Sequence, residues 1–297
     1  MRIGFSSQAA PMWDLPTLIT NAASHGYDGI ELRGLAGQLD LPMLPQLSAH
    51  PEQVKALCTE HKVELVCLSS SVALDSTDRK TLARQIGELT DYVELADALG
   101  CPFVKIFAGE VQERDNLRAA QARIAQALIE VAPIASRRGV TILVENGNDL
   151  ADSAAMWFLV DAAESPAIQV CWNQCHALTV GERPTTSIPR LGTKIGMVHV
   201  CDADFDDCGL LIGYKALGEG NAEVARQVEL LKGLAYRGYL MFDWPRLWDA
   251  SLPHPDAVLP EAARFLREQI DTKQNILSAY KGDKRPTKFC RSVAAGE

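Results

Sequence analysis

The stretch "IQVCWNQCHAL" (Ile168–Leu178) is a short, almost continuously apolar run that ends abruptly in an amide, two thiols and an imidazole. A run this short and apolar suits a strand buried on both faces, as in a parallel sheet covered by helices. Seven more runs of the same kind lie along the chain: "RIGF" (2–5), "GIELR" (29–33), "VELVCLS" (63–69), "FVKIF" (103–107), "TILVE" (141–145), "IGMVHV" (195–200) and "YLMFD" (239–243). Amphipathic segments separate them, several closing on a glycine that suits a helix C-terminus, such as Gly26, Gly100 and Gly139.

Eight strands, each followed by a helix, predict an α/β fold: a single (β/α)8 TIM barrel over residues 1–270. A doubly wound open sheet predicts a glycine-rich phosphate loop after the first strand, and "FSSQAAPMW" (5–13) has no GxGxxG. The polar, aperiodic tail, 271–297, reads as a C-terminal extension packing on the barrel or in an oligomer contact, so a homo-oligomer is one expectation.

Composition narrows the function classes. Of 297 residues, 47% are hydrophobic and 23% charged, enough to bury a large core without staples. A net charge of -9 argues against nucleic-acid binding, which needs a basic face. The amino-terminal segment lacks the pattern of a secretory signal, and no segment approaches the roughly 18 apolar residues of a membrane span. The eight cysteines form no CxxC pair and read as reduced thiols, which points to a cytoplasmic protein without membrane or nucleic-acid partners.

Chemistry in such barrels gathers at the carboxyl ends of the strands. Read in order, those ends carry Glu31 and Arg33, Ser69, Lys105, Glu145, Asn173 with His176, His199 with Asp202, and Asp243. Glu31 and Arg33 read as an ion pair. Glu145, Asn173, His199 and Asp243 offer three oxygen groups and one nitrogen converging on the barrel axis, a donor set for one divalent ion: Mn, Mg, Co or Zn. The nearby thiols of Cys171, Cys175 and Cys201 follow no known zinc spacing.

Several motifs, in this order and spacing, resemble the xylose isomerase-like barrel superfamily, and within it the sugar phosphate isomerase/epimerase group. They are "GYDGIELRG" (26–34), "ILVENGND" (142–149), "CWNQCHA" (171–177), "GMVHVCDAD" (196–204), "ALGEGNAEV" (216–224) and the long run from "GYLMFDWPRLWD" (238–249). The resemblance implies a metal held by Glu145 and His199 together with residues 173 and 243. Two positions depart from the family pattern: Asn173 stands where relatives carry Asp, and Asp243 where they usually carry Glu. An amide can still ligate a hard cation through its carbonyl oxygen, with less charge than a carboxylate.

The implied activity is a divalent-metal-dependent sugar isomerase or epimerase, or a related keto-sugar lyase or dehydratase, acting on a small sugar or polyol. Such reactions begin with proton abstraction next to a carbonyl, stabilised as an enediolate. Glu145 and Asp243 are the expected catalytic pair. His176, Lys105, Trp13, Asp202 and Glu219, the last in the "LGEG" stretch (217–220), are the expected substrate contacts. A sugar-binding subunit with a degenerate metal site is the alternative. An apurinic-endonuclease-like phosphodiesterase ranks last, since it needs more histidines than six and a basic groove.

Overall fold

The computed structural model describes residues 1–112, 116–206 and 208–272; the expected tail beyond Thr272 lies outside the described residues. Eight parallel strands close into a barrel: β1 (Arg2–Ser6), β2 (Gly29–Leu32), β3 (Glu64–Ala73), β4 (Phe103–Phe107), β5 (Thr141–Glu145), β6 (Ile168–Asn173), β7 (Ile195–Val200) and β10 (Tyr239–Phe242). Each pairs with its sequence neighbour in the barrel, and β1 pairs with β10 to close it. The expected (β/α)8 architecture is therefore present.

The remaining two strands, β8 (Asp202–Phe205) and β9 (Leu211–Lys215), form an antiparallel hairpin above the barrel. β8 carries no apolar run, and the run that marks β9, "LLIGY" (210–214), leaves Leu210 and Ile212 exposed, so the hairpin draws its order from backbone pairing. β3 runs to Ala73, beyond its expected end at Ser69, because "SSS" (69–71) continues the extended backbone.

Helices Arg79–Leu99 and Leu117–Arg137 carry most of the outer layer on the β3–β5 side. Asp78 and Asn116 cap their first turns by accepting from Thr81 and Ala119 N–H. Gly100 ends the first in the left-handed conformation (φ +68°), where a side chain is strained.

Side chains two residues apart on a strand share a face, and this rule places the site. Leu143, Cys171, Met197 and Met241 fill the barrel interior together with Val66, Cys67 and Tyr239. Two residues further along the same strands come Glu145, Asn173, His199 and Asp243, which therefore stand directly above that apolar plug. All four are buried. The interior is tight enough that a Cβ on Gly4 lies 2.8 Å from the Gly29 carbonyl oxygen and from Met241, so only glycine fits there.

Candidate metal and substrate site

The four side chains meet at the carboxyl end of the barrel. His199 Nδ1 lies 2.9 Å from Glu145 Oε1 and 3.7 Å from Asp243 Oδ2. The Asn173 amide nitrogen lies 3.2 Å from Glu145 Oε1 and 3.3 Å from Asp243 Oδ2. Lys105 pairs with the other oxygen of Glu145, and Gln8 donates to the other oxygen of Asp243.

Glu31 completes the cluster. Its Oε2 lies 3.0 Å from His199 Nε2, and its Oε1 accepts from Ser6 at 2.7 Å. The expected Glu31–Arg33 pair does not form: Arg33 donates instead to the Ser71 hydroxyl at 2.9 Å, while Glu31 faces inward. A carboxylate on the far ring nitrogen of a histidine fixes its orientation and raises its basicity, as around metal-bound histidines generally.

The charges in this small volume are strongly coupled. Burial opposes ionisation of Glu145, but Lys105 and His199 outweigh it and hold its pKa well below the usual carboxylate range. Burial raises the pKa of Asp243, and the neighbouring Glu145 charge pushes the same way against His199. Burial would lower the His199 pKa, yet Cys171, Glu31, Glu145 and Asp243 together hold it well above the ordinary imidazole value. Both ring nitrogens face carboxylates, which only accept, so the metal-free state favours the imidazolium. Lys105 is held charged by Glu145 and Glu31 against its burial.

The residues fit a divalent cation at three positions. Ligand atoms about 2.1 Å from a shared ion stand roughly 3.0–3.4 Å apart; the observed 2.9 and 3.7 Å from His199 to Glu145 and Asp243 bracket that spacing. Three carboxylates against one ammonium leave an excess negative charge that the His199 proton cancels only in part. Glu145, Cys171 and His199 also bring one donor atom each within 4.8 Å of one another, a set that could hold a metal. The Cys171 thiol is buried with its pKa pushed up to about 11, so at neutral pH it is a thiol, a weak ligand until the metal itself removes its proton.

Asn173 is the position that does not fit. Its carbonyl oxygen accepts from the Cys175 backbone N–H at 3.1 Å and from the Cys201 thiol at 3.6 Å, capping the short helix Gln174–Thr179. The amide nitrogen therefore faces the carboxylates as a donor, where a ligand oxygen belongs. Rotating the amide would set its NH2 against the Cys175 N–H. The amide thus fills the fourth position as built and adds no ligand.

The expected substrate contacts divide. Lys105 lies at the centre, buried beside Glu145. His176 is half-buried at the rim, its Nδ1 donating to the Asn146 carbonyl at 2.6 Å, which leaves Nε2 as an acceptor. Trp13 is half-buried against the outer core, with no hydrogen bond bringing it to the cluster. Asp202 accepts four backbone N–H groups, from Ala203, Gly218, Gly220 and Ala222, and so clamps the 217–222 loop. A Cβ on Gly220 would stand 2.4 Å from that carboxylate, so glycine is required there. Glu219 is exposed on the same loop. Two further side chains join the rim: the Trp248 indole donates to Gln8 Oε1 at 3.2 Å, linking a rim aromatic to Asp243. Neither lies on a strand, so strand-end reading passes over both.

Comparison with known proteins places this architecture. The family described as xylose isomerase-like TIM barrel matches residues 19–269, and the chain belongs to it. No curated sequence matches the chain. Among solved structures it is similar to an L-ribulose 3-epimerase, at 21% identity over 96% of this chain and 99% of that one, TM-score 0.74. It is similar to the IOLI protein with a bound zinc atom, at 18% identity over 91% and 98%, TM-score 0.78. It is also similar to a D-tagatose 3-epimerase-like protein, at 20% identity over 91% and 97%, TM-score 0.72. At these identities the likeness establishes the fold. Among the described residues, no helix is long and apolar enough to cross a membrane.

Proposed function

We propose that this barrel is a divalent-metal-dependent isomerase or epimerase acting on a hydroxy-ketone of the sugar or polyol class, by proton abstraction next to a carbonyl. The observation that carries the reading is the convergence of Glu145, His199 and Asp243 above an apolar plug, with Glu31 orienting the histidine. The sugar-epimerase names among the structural neighbours support the same class.

Glu145, His199 and Asp243 would hold the cation. A divalent ion at such a site lowers the cost of the negative charge that develops on substrate oxygens. The two carboxylates have distinct parts, because their surroundings push their pKa values apart. Glu145, held by Lys105, stays ionised. Burial raises the pKa of Asp243, so of the two carboxylates it is the one that more readily accepts and returns a proton. Lys105 sets an ammonium beside the place where an enediolate oxygen forms. His176, with Nε2 as acceptor, can take a substrate hydroxyl at the rim. Burial of the whole cluster excludes water from the carbanionic species.

The test is solvent exchange. The protein, loaded with Mn, Co, Zn or Mg in D2O, is incubated with a panel of ketoses and followed by proton NMR. Loss of a carbon-bound proton next to the carbonyl, abolished in Asp243→Asn, supports the reading; no exchange with any ketose despite bound metal refutes it.

A further inference from the structure

A second polar feature sits at the same mouth, and metal chemistry does not use it. Arg33 follows β2 and comes level with Ser69 of β3, since the preceding Leu32 pairs with Leu68. Ser69 in turn pairs with Lys105, so both face the barrel interior. Arg33 is 4% exposed and Ser69 is fully buried. Arg33 Nη1 and the Ser69 hydroxyl are both buried without a hydrogen-bond partner among the described residues.

A buried guanidinium with an unused nitrogen is costly. Its protein contacts do not offset that cost: Nη2 donates to the neutral Ser71 hydroxyl, and among the described residues no carboxylate lies within ion-pair distance. The guanidinium lies 5.8 Å from the Phe107 ring centroid and 5.4 Å from that of Trp248, within cation–π range of both. Burial lowers the Arg33 pKa even though Glu31, Glu145 and Asp243 act to raise it, the sign of an under-compensated cation. Trp248 also binds Gln8, which donates to Asp243, so the arginine is tied to the reaction centre through two side chains.

We infer that Arg33 and Ser69 form an anion subsite and that the substrate carries a carboxylate in addition to its hydroxyl and keto groups. A guanidinium N–H and a hydroxyl are two donors suited to the two oxygens of one carboxylate. A phosphate dianion calls for more cationic donors than this sector offers, because Lys105 is already engaged by Glu145. The inference rests on the proposed reading of the mouth as a substrate site. It narrows the class from neutral sugars to sugar acids and cyclic polyhydroxy acids.

The experiment is calorimetric titration of the full-length protein, with and without a divalent ion. The acids are D-gluconate, D-galactonate and quinate; the neutral counterparts are D-glucitol, D-galactitol and myo-inositol; D-fructose 6-phosphate is the phosphate arm. At least one acid is expected to bind roughly tenfold or more tightly than its counterpart. Arg33→Met removes that preference, Arg33→Lys retains part of it, and Ser69→Ala weakens it less. Divalent-ion affinity of Arg33→Met, within about threefold of the parent, shows that the variant is folded with its metal site intact. Acids binding no better than their counterparts, tightest binding of the phosphate, or an undiminished preference in folded Arg33→Met overturns the inference. Acid preference without metal binding refutes the metal reading alone; metal binding without acid preference refutes the subsite alone.

Discussion

The amide nitrogen of Asn173 stands 3.2 Å from Oε1 of Glu145, a donor occupying the position where the proposed metal site would take its fourth ligand. The amide oxygen is held on the far side by the Cys175 N–H, so the orientation is set by the start of a helix. In Asn173→Asp one oxygen can keep the cap while the other turns to the cation. We expect divalent-ion affinity to rise by roughly tenfold or more, and the metal-free protein to lose about 2 kcal/mol from a further buried carboxylate. Metal titration and chemical denaturation read the two effects; unchanged affinity refutes this account of position 173.

Removing the cation that accompanies Glu145 has a different signature. Lys105→Met leaves Oε2 of that carboxylate buried without its ammonium, with His199 and Asn173 still on Oε1, which costs about 3 kcal/mol in the metal-free protein. Added divalent metal should recover much of the loss, since it supplies the missing positive charge. Equal destabilisation with and without metal contradicts the pairing.

The pH dependence follows from His199, whose folded-state pKa is raised well above 6.5. Its contribution to the stability of the metal-free protein is fully present below the unfolded value and is lost as pH rises through the folded one. The metal-bound form needs a neutral imidazole, so metal binding releases a proton and strengthens by about tenfold per pH unit while His199 remains protonated. Titrations in buffers of different ionisation enthalpy measure that proton; pH-independent affinity between pH 6 and 8 contradicts the assignment.

Asp202 separates loop architecture from substrate contact. Its carboxylate accepts four backbone N–H groups from the 203–222 region. Asp202→Ala is expected to cost about 3 kcal/mol and to leave metal affinity within about threefold. A full loss of metal binding in a folded variant refutes this division.

The fold was legible because a strand buried on both faces must be apolar along its length, and eight such runs are hard to hide between helices. The tips of those runs located Glu145, Asn173, His199 and Asp243 for the same reason: a polar residue closing an apolar strand has to face the mouth. Lys105, read as a strand end, instead lies in the middle of β4 and reaches Glu145 from one layer below. What the sequence concealed depends on orientation. The spacing of Glu31 and Arg33 reads as an ion pair, yet Glu31 turns to His199 and Arg33 to Ser71. Asn173 shows an amide in the sequence but not which end of it faces the site. Gln8 lies in the single 3-10 turn Ser7–Ala9 and Trp248 in a turn after β10, both too short for periodicity. The apolar run "LLIGY" (210–214) of β9 belongs to an exposed hairpin and not to the barrel.

The central claim is that Glu145, His199 and Asp243 form one divalent-cation site, and equilibrium metal titration of the purified, metal-stripped protein tests it most directly. The account predicts saturable binding of one ion per chain with a rise in melting temperature, lost in Glu145→Gln and in His199→Ala. No saturable binding of Mn, Co, Zn or Mg, or binding that survives both substitutions, contradicts it.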